Sequence, residues 1–182
     1  FFYIFIISVL ISGNAFAQSG PENIVKLNIF SPIVRTLSLS YERVLSADNS
    51  FQVNFFYTGA SIGDTRFRGF GITPEYRFYL SESKESPAGF YLAPFLRYQN
   101  FNLTVEDESV NEPEATLSNF GGGVLIGGQW IFKEKISLDT FIGPAYTAGD
   151  IKVEDGTSEE QFETGILSGF GVRFGVTIGY AF

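Results

Sequence analysis

The C-terminal segment alternates between two kinds of side chain. Large apolar residues occupy every second position, namely Phe170, Val172, Phe174, Val176, Ile178, Tyr180 and Phe182. The positions between them hold only glycine, alanine, threonine and one arginine, Arg173. Successive side chains of a β-strand point to opposite faces of the sheet, so this segment predicts a strand with one apolar and one small or polar face. An apolar outer face over a narrow polar interior is typical of a strand that faces lipid.

The N-terminal segment predicts export. Residues 1–11 form an uncharged apolar run, and Ala15-Phe16-Ala17 is a small-x-small site of the kind that signal peptidase cuts. The run is too short for a membrane span, which takes about 20 residues. We expect residues 1–17 to be a secretory signal peptide and residues 18–182 to be the mature domain, beginning at Gln18. A buried core helix is the alternative for residues 1–11.

The composition favours β-structure. The 182 residues include 21 Phe, 9 Tyr and 20 Gly, and no apolar run after the first segment is long enough for a membrane helix. A protein that spans a membrane without such helices must close its backbone hydrogen bonds in a barrel. Cysteine is absent, which excludes disulfides, thiol chemistry and a lipoprotein anchor.

Eight segments of the predicted mature domain alternate like strands, an even number as bacterial barrels require. They cover residues 23–30, 36–44, 50–58, 67–80, 90–101, 117–132, 136–147 and 169–182. We therefore predict an all-β fold, an eight-stranded antiparallel transmembrane up-and-down β-barrel preceded by a signal peptide. Pro74 and Pro94 lie inside two of the strands and predict a bulge or a local break there.

The predicted connections alternate in character. Counted from a periplasmic N-terminus, the links near 46–49, 81–89 and 133–135 are periplasmic, and those near 31–35, 60–66, 102–115 and 149–165 are external. The two longest links carry a net charge of −5 each, whereas the whole chain carries −8. Solvated charge is the favoured interpretation of these acidic loops and calcium binding is the alternative. Such a surface disfavours nucleic-acid binding.

Seven charged residues face the predicted interior. They are Lys26, Glu42, Glu75, Arg77, Arg97, Asp139 and Arg173, and we call them the lumen charge network. The interior of an eight-stranded barrel is just wide enough to be filled by side chains, and an unpaired buried charge is costly. We expect these charges to pair, directly or through water, and to block the lumen. An ion or proton pathway is the alternative.

Enzymatic function is disfavoured. Histidine is absent, which excludes Ser-His-Asp catalysis and His-ligated zinc. A hydrolase that uses carboxylates alone is the remaining enzymatic alternative. Gly169-Phe170-Gly171 and residues 121–123 lack the strand-turn-helix context of a phosphate-binding loop, so we interpret their glycines as close packing inside a barrel. No cofactor is expected.

Several stretches together resemble a known family. They are Lys26-Leu27-Asn28, Leu39-Ser40-Tyr41-Glu42-Arg43, Gly71-Ile72-Thr73-Pro74-Glu75-Tyr76-Arg77-Phe78-Tyr79, Ala93-Pro94-Phe95-Leu96-Arg97-Tyr98 and the glycine-rich residues 121–130. They are similar to a family of small outer-membrane barrels that is catalogued as a domain of unknown function and described as OmpA-like. The terminal Tyr180 and Phe182 also resemble the assembly signal of Gram-negative outer-membrane barrels. The resemblance implies an eight-stranded barrel in the outer membrane, without catalytic residues.

The sequence thus predicts a non-enzymatic, integral outer-membrane barrel that acts as a structural envelope protein. Its expected partners are outer-membrane lipids, lipopolysaccharide and the barrel-assembly machinery, and a monomer is expected. Two alternatives stay open. One is a surface receptor or adhesin that acts through residues 102–115 and 149–165, and the other is a narrow pore.

Overall fold

The computed structural model of the protein describes residues 20–62, 65–81, 86–105, 114–153 and 169–182. Eight antiparallel strands follow one another around a closed barrel, as predicted. The strands are β1 (Asn23–Asn28), β2 (Thr36–Ser46), β3 (Asn49–Ile62), β4 (Thr65–Tyr79), β5 (Gly89–Val105), β6 (Glu114–Phe132), β7 (Ile136–Val153) and β8 (Gly169–Ala181). No helix in these described ranges is long and apolar enough to cross a membrane. The predicted signal peptide, residues 1–17, and Gln18 lie outside them.

The two ends of the barrel differ. We call the end that holds residue 20, Phe182 and the connections at residues 47–48, 80–88 and 133–135 the turn end. The opposite end, with the connections at residues 29–35, 63–64, 106–113 and 154–168, is the loop end. Because strand directions alternate, every second connection lies at the same end, and the longest one, residues 154–168, lies at the loop end.

The strand register determines the tilt of the strands. Starting at Ile24, the paired positions around the barrel are Glu42, Gln52, Glu75, Phe95, Gly123, Ala145 and Gly171. Extension of the β8–β1 register assigns Gly171 to position 34, so the path returns ten residues beyond its start. This offset is the shear number, and a closed barrel of this kind has its strands tilted by about 35–45° from the axis.

The outer face of the barrel is apolar, as the alternation predicts. On β8, Phe170, Phe174 and Tyr180 are exposed, whereas Thr177 and Ala181 are buried. Exposed aromatic residues recur near both ends: Tyr57, Phe70, Tyr98, Phe120 and Tyr146 toward the loop end, and Phe78, Phe90, Trp130 and Phe182 toward the turn end. From Phe170 to Tyr180 the chain rises about 25 Å along the barrel axis, at about 3.3 Å per residue and a tilt of about 40°. An apolar band about 25 Å tall is typical of outer-membrane barrels.

The prolines interrupt one ladder without a bulge. The Leu80 N–H donates to the Phe90 carbonyl at 2.8 Å. The even-numbered residues of β4 and β5 are therefore the ones whose backbone N–H and carbonyl groups point at the other strand. Pro74 and Pro94 are among them, and neither can donate a hydrogen bond. Ladder pairs are accordingly missing between β4 and β5 around these prolines, although the register is the same on both sides. The predicted local break is confirmed, whereas the register shift lies elsewhere, between Val44 and Ser46.

The strand ends correct several predicted boundaries. Residues 102–105, 114–115 and 149–153 belong to strands, so the predicted loops 102–115 and 149–165 are too long. Beyond the apolar band, both faces of a strand can carry polar residues. The alternation of apolar and polar residues therefore stops before the strand ends, although its backbone hydrogen bonds continue. β1 ends earlier than predicted, at Asn28, because the chain turns at Ser31–Val34, where Pro32 has no N–H for a ladder.

The barrel wall is incomplete in one place among the described residues. The last backbone bond between β8 and the β1 segment joins the Ile29 N–H to the Val176 carbonyl at 3.1 Å. Farther toward the loop end, Val172 and Phe174 pair with β7 on one side only, and their side chains are 65% and 69% exposed. Among the described residues, this open edge of β8 has no strand partner on the β1 side.

Candidate functional site

Four fully buried charges meet in the turn-end half of the lumen. Lys26 Nζ lies 2.5 Å from Glu42 Oε2 and 2.9 Å from Asp139 Oδ2. Arg77 Nη1 lies 2.8 Å from Asp139 Oδ2 and 3.5 Å from Glu42 Oε2. Each cation thus contacts both acids, and the four residues come from β1, β2, β4 and β7. We call them the turn-end cluster.

Neutral side chains complete the hydrogen bonding of the two acids. Tyr79 Oη and Ser50 Oγ donate to Glu42 Oε1 at 2.7 and 2.5 Å. Tyr91 Oη donates to Asp139 Oδ1 at 2.7 Å, and Gln129 Nε2 donates to Glu42 Oε2 at 3.1 Å. Sequence reasoning missed these partners, although alternation places them on the inner face. Seven of the eight strands, β1 to β7, contribute a side chain to this arrangement, which therefore fills the cross-section of the barrel.

A glycine makes room for one of these partners. A Cβ atom on Gly127 would lie 2.4 Å from the hydroxyl and the Cζ atom of Tyr91 and 2.7 Å from the Thr140 carbonyl oxygen. The Arg77 guanidinium also lies over the Tyr91 ring, with Cζ of Arg77 4.3 Å from the ring centroid. Gly127 therefore allows Tyr91 to reach Asp139 and to contact Arg77 at the same time.

Ser86 and Pro87, which precede β5, lie beside the cluster on its turn-end side. Ser86 and Pro87 are buried, and the Ser86 N–H donates to the Ala47 carbonyl at 2.7 Å. Gln129 Nε2 donates to the Pro87 carbonyl at 2.7 Å. Gln129 thus joins the Pro87 carbonyl to the charges of the turn-end cluster.

Glu75 connects the cluster to the loop-end half of the lumen. Its Oε2 accepts from Arg77 Nη2 at 3.2 Å and from Gln52 Nε2 at 3.0 Å. Its Oε1 lies 2.6 Å from Arg173 Nη1. Arg173 also lies over the rings of Phe95 and Phe141, with Cζ 4.8 and 5.0 Å from the centroids.

Arg97 stands apart from the other members of the lumen charge network. The structure brings Lys26, Glu42, Glu75, Arg77, Asp139 and Arg173 into one chain of ion pairs, but Arg97 forms none with any described residue. Its Cζ lies 5.8 Å from the centroid of the Phe95 ring, and its Nε is buried without a hydrogen-bond partner. The expectation that all these charges pair is therefore not met at Arg97.

The arrangement is suited to closing the lumen and not to acid–base chemistry. The carboxylates of Glu42 and Asp139 are enclosed by cations and hydroxyl donors and have no open side toward a substrate. Within the described part of the chain, no group of three or more acidic side chains could hold a metal ion.

The fold and the filled lumen define a small barrel of the outer-membrane type. The sequence matches the family described as "Protein of unknown function (DUF3575)" over residues 2–165, and the chain belongs to that family. No curated protein matches the chain significantly.

Similar solved structures include proteins from three bacteria. A major outer membrane protein from Thermus thermophilus is 9% identical, with a TM-score of 0.58, 91% of this chain covered and 100% of that one. The N-terminal β-barrel domain of Pseudomonas aeruginosa OprF is 14% identical and Acinetobacter baumannii CarO2 is 11% identical, each with a TM-score of 0.46 and the same coverage. The Thermus similarity supports the fold alone.

Proposed function

We propose that the protein is a non-enzymatic, integral barrel of the outer membrane, closed to ions and acting as a structural component of the envelope. The observation that carries the proposal is the combination of an apolar outer band with a lumen filled by the turn-end cluster. An apolar surface that encircles a barrel is unsuited to water and matches lipid. The turn end is then periplasmic and the loop end is external.

Export by residues 1–17 and assembly through Tyr180 and Phe182 belong to the same proposal. Tyr180 and Phe182 stack, with ring centroids 6.2 Å apart, on the outer face of the barrel. They are accessible there to the assembly machinery and then to lipid, whereas lipopolysaccharide would contact the apolar outer face toward the loop end. A receptor or adhesin role through residues 102–115 and 149–165 stays a prediction, because residues 106–113 and 154–168 lie outside the described ranges.

Membrane fractionation and gel mobility test the location. We expect the protein in outer membranes after carbonate washing, and we expect its gel mobility in detergent to change on boiling, because a closed ring of strands resists unfolding. Lipid-borne bromine should quench Trp130, which lies on the outer face and is the only tryptophan. Release by carbonate, or quenching of Trp130 by aqueous iodide alone, would contradict the membrane assignment.

Conductance tests the closed lumen. Purified protein inserted in planar bilayers should show no steady conductance above that of protein-free bilayers in concentrated KCl. Side chains from β1 to β7 meet in and around the turn-end cluster, and we expect them to block the passage of ions. Regular conductance steps from the folded protein would favour the narrow-pore alternative.

A further inference from the structure

The described inner face carries one more positive than negative charge. Its cations are Lys26, Arg77, Arg97 and Arg173, and its acids are Glu42, Glu75 and Asp139. Every one of these acids already contacts two cations. The excess charge belongs to Arg97, which lies on the loop-end side of the other charges. No described acid is therefore available to it.

Arg97 and Arg173 flank one aromatic ring. Their Cζ atoms lie 5.8 and 4.8 Å from the Phe95 centroid, so the two guanidinium groups are within about 11 Å of each other. Both cations lie at the floor of the loop-end half of the lumen, above the filled turn end. Two like charges at this separation, in a partly desolvated lumen, favour an anion between or beside them.

The wall beside these arginines is built from small residues. The ladder partner of Arg97 is Gly121, followed around the barrel by Thr147 and Gly169. Among the described residues, no atom lies within 4 Å of the position that a Cβ would take on Gly169 or Gly171. The lumen therefore has free space on the β8 side, close to Arg173 on the same strand.

We propose that Arg97, together with Arg173, forms a binding site for an oxyanion, a carboxylate or a phosphate group, at the floor of the loop-end half of the lumen. The unpartnered Nε–H of Arg97 is a buried donor that such a ligand would satisfy. A guanidinium matches the paired oxygens of these groups with two parallel hydrogen bonds. Arg173 donates to Glu75 through Nη1 and supplies the second positive charge.

The ligand could arrive by two routes, and both deliver the same chemistry. A soluble anion would enter from the loop end. The headgroup of an anionic amphiphile would enter past the open edge of β8, beside Val172 and Phe174. Inorganic phosphate and dodecyl phosphate are therefore the two probes, the first in nonionic detergent and the second in discs of neutral lipid.

Equilibrium binding to the folded full-length chain tests the site. Wild type should bind at least one probe saturably, and Arg97→Gln should weaken that binding about ten- to hundredfold, because charged hydrogen bonds are lost. Arg68→Gln is the matched control, since Arg68 is exposed, and it should bind like wild type. Arg97→Lys should fall between, because it keeps the charge without the planar donors.

The two probes distinguish the source of the ligand. Tighter binding of dodecyl phosphate than of phosphate indicates an amphiphile, and equal binding indicates a soluble anion. Gel mobility before and after boiling checks the folding of each variant. If Arg97→Gln does not fold, the arginine Nε–H resonances of wild type in micelles provide the test, since one of them should shift saturably with phosphate. Absence of saturable binding, equal affinity of Arg97→Gln and wild type, or no shifted resonance would overturn the proposal.

Discussion

The two halves of the lumen solve the problem of buried charge differently. In the turn-end half, each acid contacts two cations and accepts further hydrogen bonds from hydroxyl groups. In the loop-end half, Arg97 forms no ion pair with a described residue, and Gly171 on β8 faces open space. The first arrangement pairs every charge of the turn-end cluster, although Nε of Arg77 has no hydrogen-bond partner. The second arrangement leaves Arg97 without an acidic partner and open space at Gly171. We therefore expect the turn-end half of the lumen to be closed and the loop-end half to accept a ligand.

The comparison predicts the largest stability effect in the turn-end cluster. Asp139→Asn keeps the shape of the side chain but removes the charge that Lys26 and Arg77 share. We expect the free energy of unfolding, measured with urea in lipid vesicles, to fall by about 3–5 kcal/mol, because two cations stay buried with one acid fewer. Asp48→Asn, in an exposed turn, is the control and should change stability by less than about 0.5 kcal/mol. A loss below that control value for Asp139→Asn would mean that the cluster is hydrated and that the two halves do not differ.

A second prediction sets the outer face against the lumen. Ile142 is exposed on the apolar band and pairs with Phe174, between the two aromatic rows. Ile142→Arg should cost about 2–4 kcal/mol of unfolding free energy near the midplane of the bilayer, and Val172→Arg less, because Val172 lies near the loop-end aromatic row. The measurement is urea unfolding in vesicles of fixed lipid composition. If Ile142→Arg and Val172→Arg are equally mild, the outer face is not in hydrocarbon.

A pair of glycines tests the space in the two halves directly. Gly127→Ala should destabilise the barrel by about 1–3 kcal/mol, because the new methyl group meets the Tyr91 hydroxyl and the Thr140 carbonyl in a filled region. Gly171→Ala faces open space and should be neutral or stabilising by about 0.4–1 kcal/mol, since alanine restricts the unfolded chain. Thermal or urea unfolding of both variants in one lipid checks the difference. Equal destabilisation would show that the loop-end half is packed as tightly as the turn-end half.

The sequence predicts features that depend on neighbouring residues better than contacts between residues far apart in the chain. Alternation is local, so it predicts eight strands and places Lys26 and Asp139 on the inner face. The choice of partners is not local, because the Lys26–Asp139 contact joins residues 113 positions apart across the lumen. It depends on a register offset that no single strand encodes. Tyr91 and Gln129 were missed for the same reason: their positions are predictable, but their contacts require the closed barrel.

Strand length beyond the membrane and the isolation of Arg97 were also outside the reach of the sequence. A strand that leaves lipid loses the requirement for an apolar face, so its end has no marker in the pattern of residues. Charge counting predicted a nearly balanced lumen, with four bases and three acids. It could not say which base would be left over, because that depends on height along the axis. Glu75 reaches Arg77 and Arg173, and Arg97 is the residue that remains.

The smallest expected effect is the one that separates the halves most sharply. Arg97→Gln removes a charge without an acidic partner, so stability in lipid without added phosphate should change by no more than about 1 kcal/mol. Arg77→Gln removes a charge that three acids share and should cost about 3–5 kcal/mol in the same urea titration. Both substitutions replace a luminal arginine, one on β4 and one on β5, by the same neutral amide. The difference between the two losses of unfolding free energy therefore reports the surroundings of each arginine. A large loss for Arg97→Gln would mean that Arg97 has a partner within the chain, and the loop-end half would then be balanced like the turn-end half.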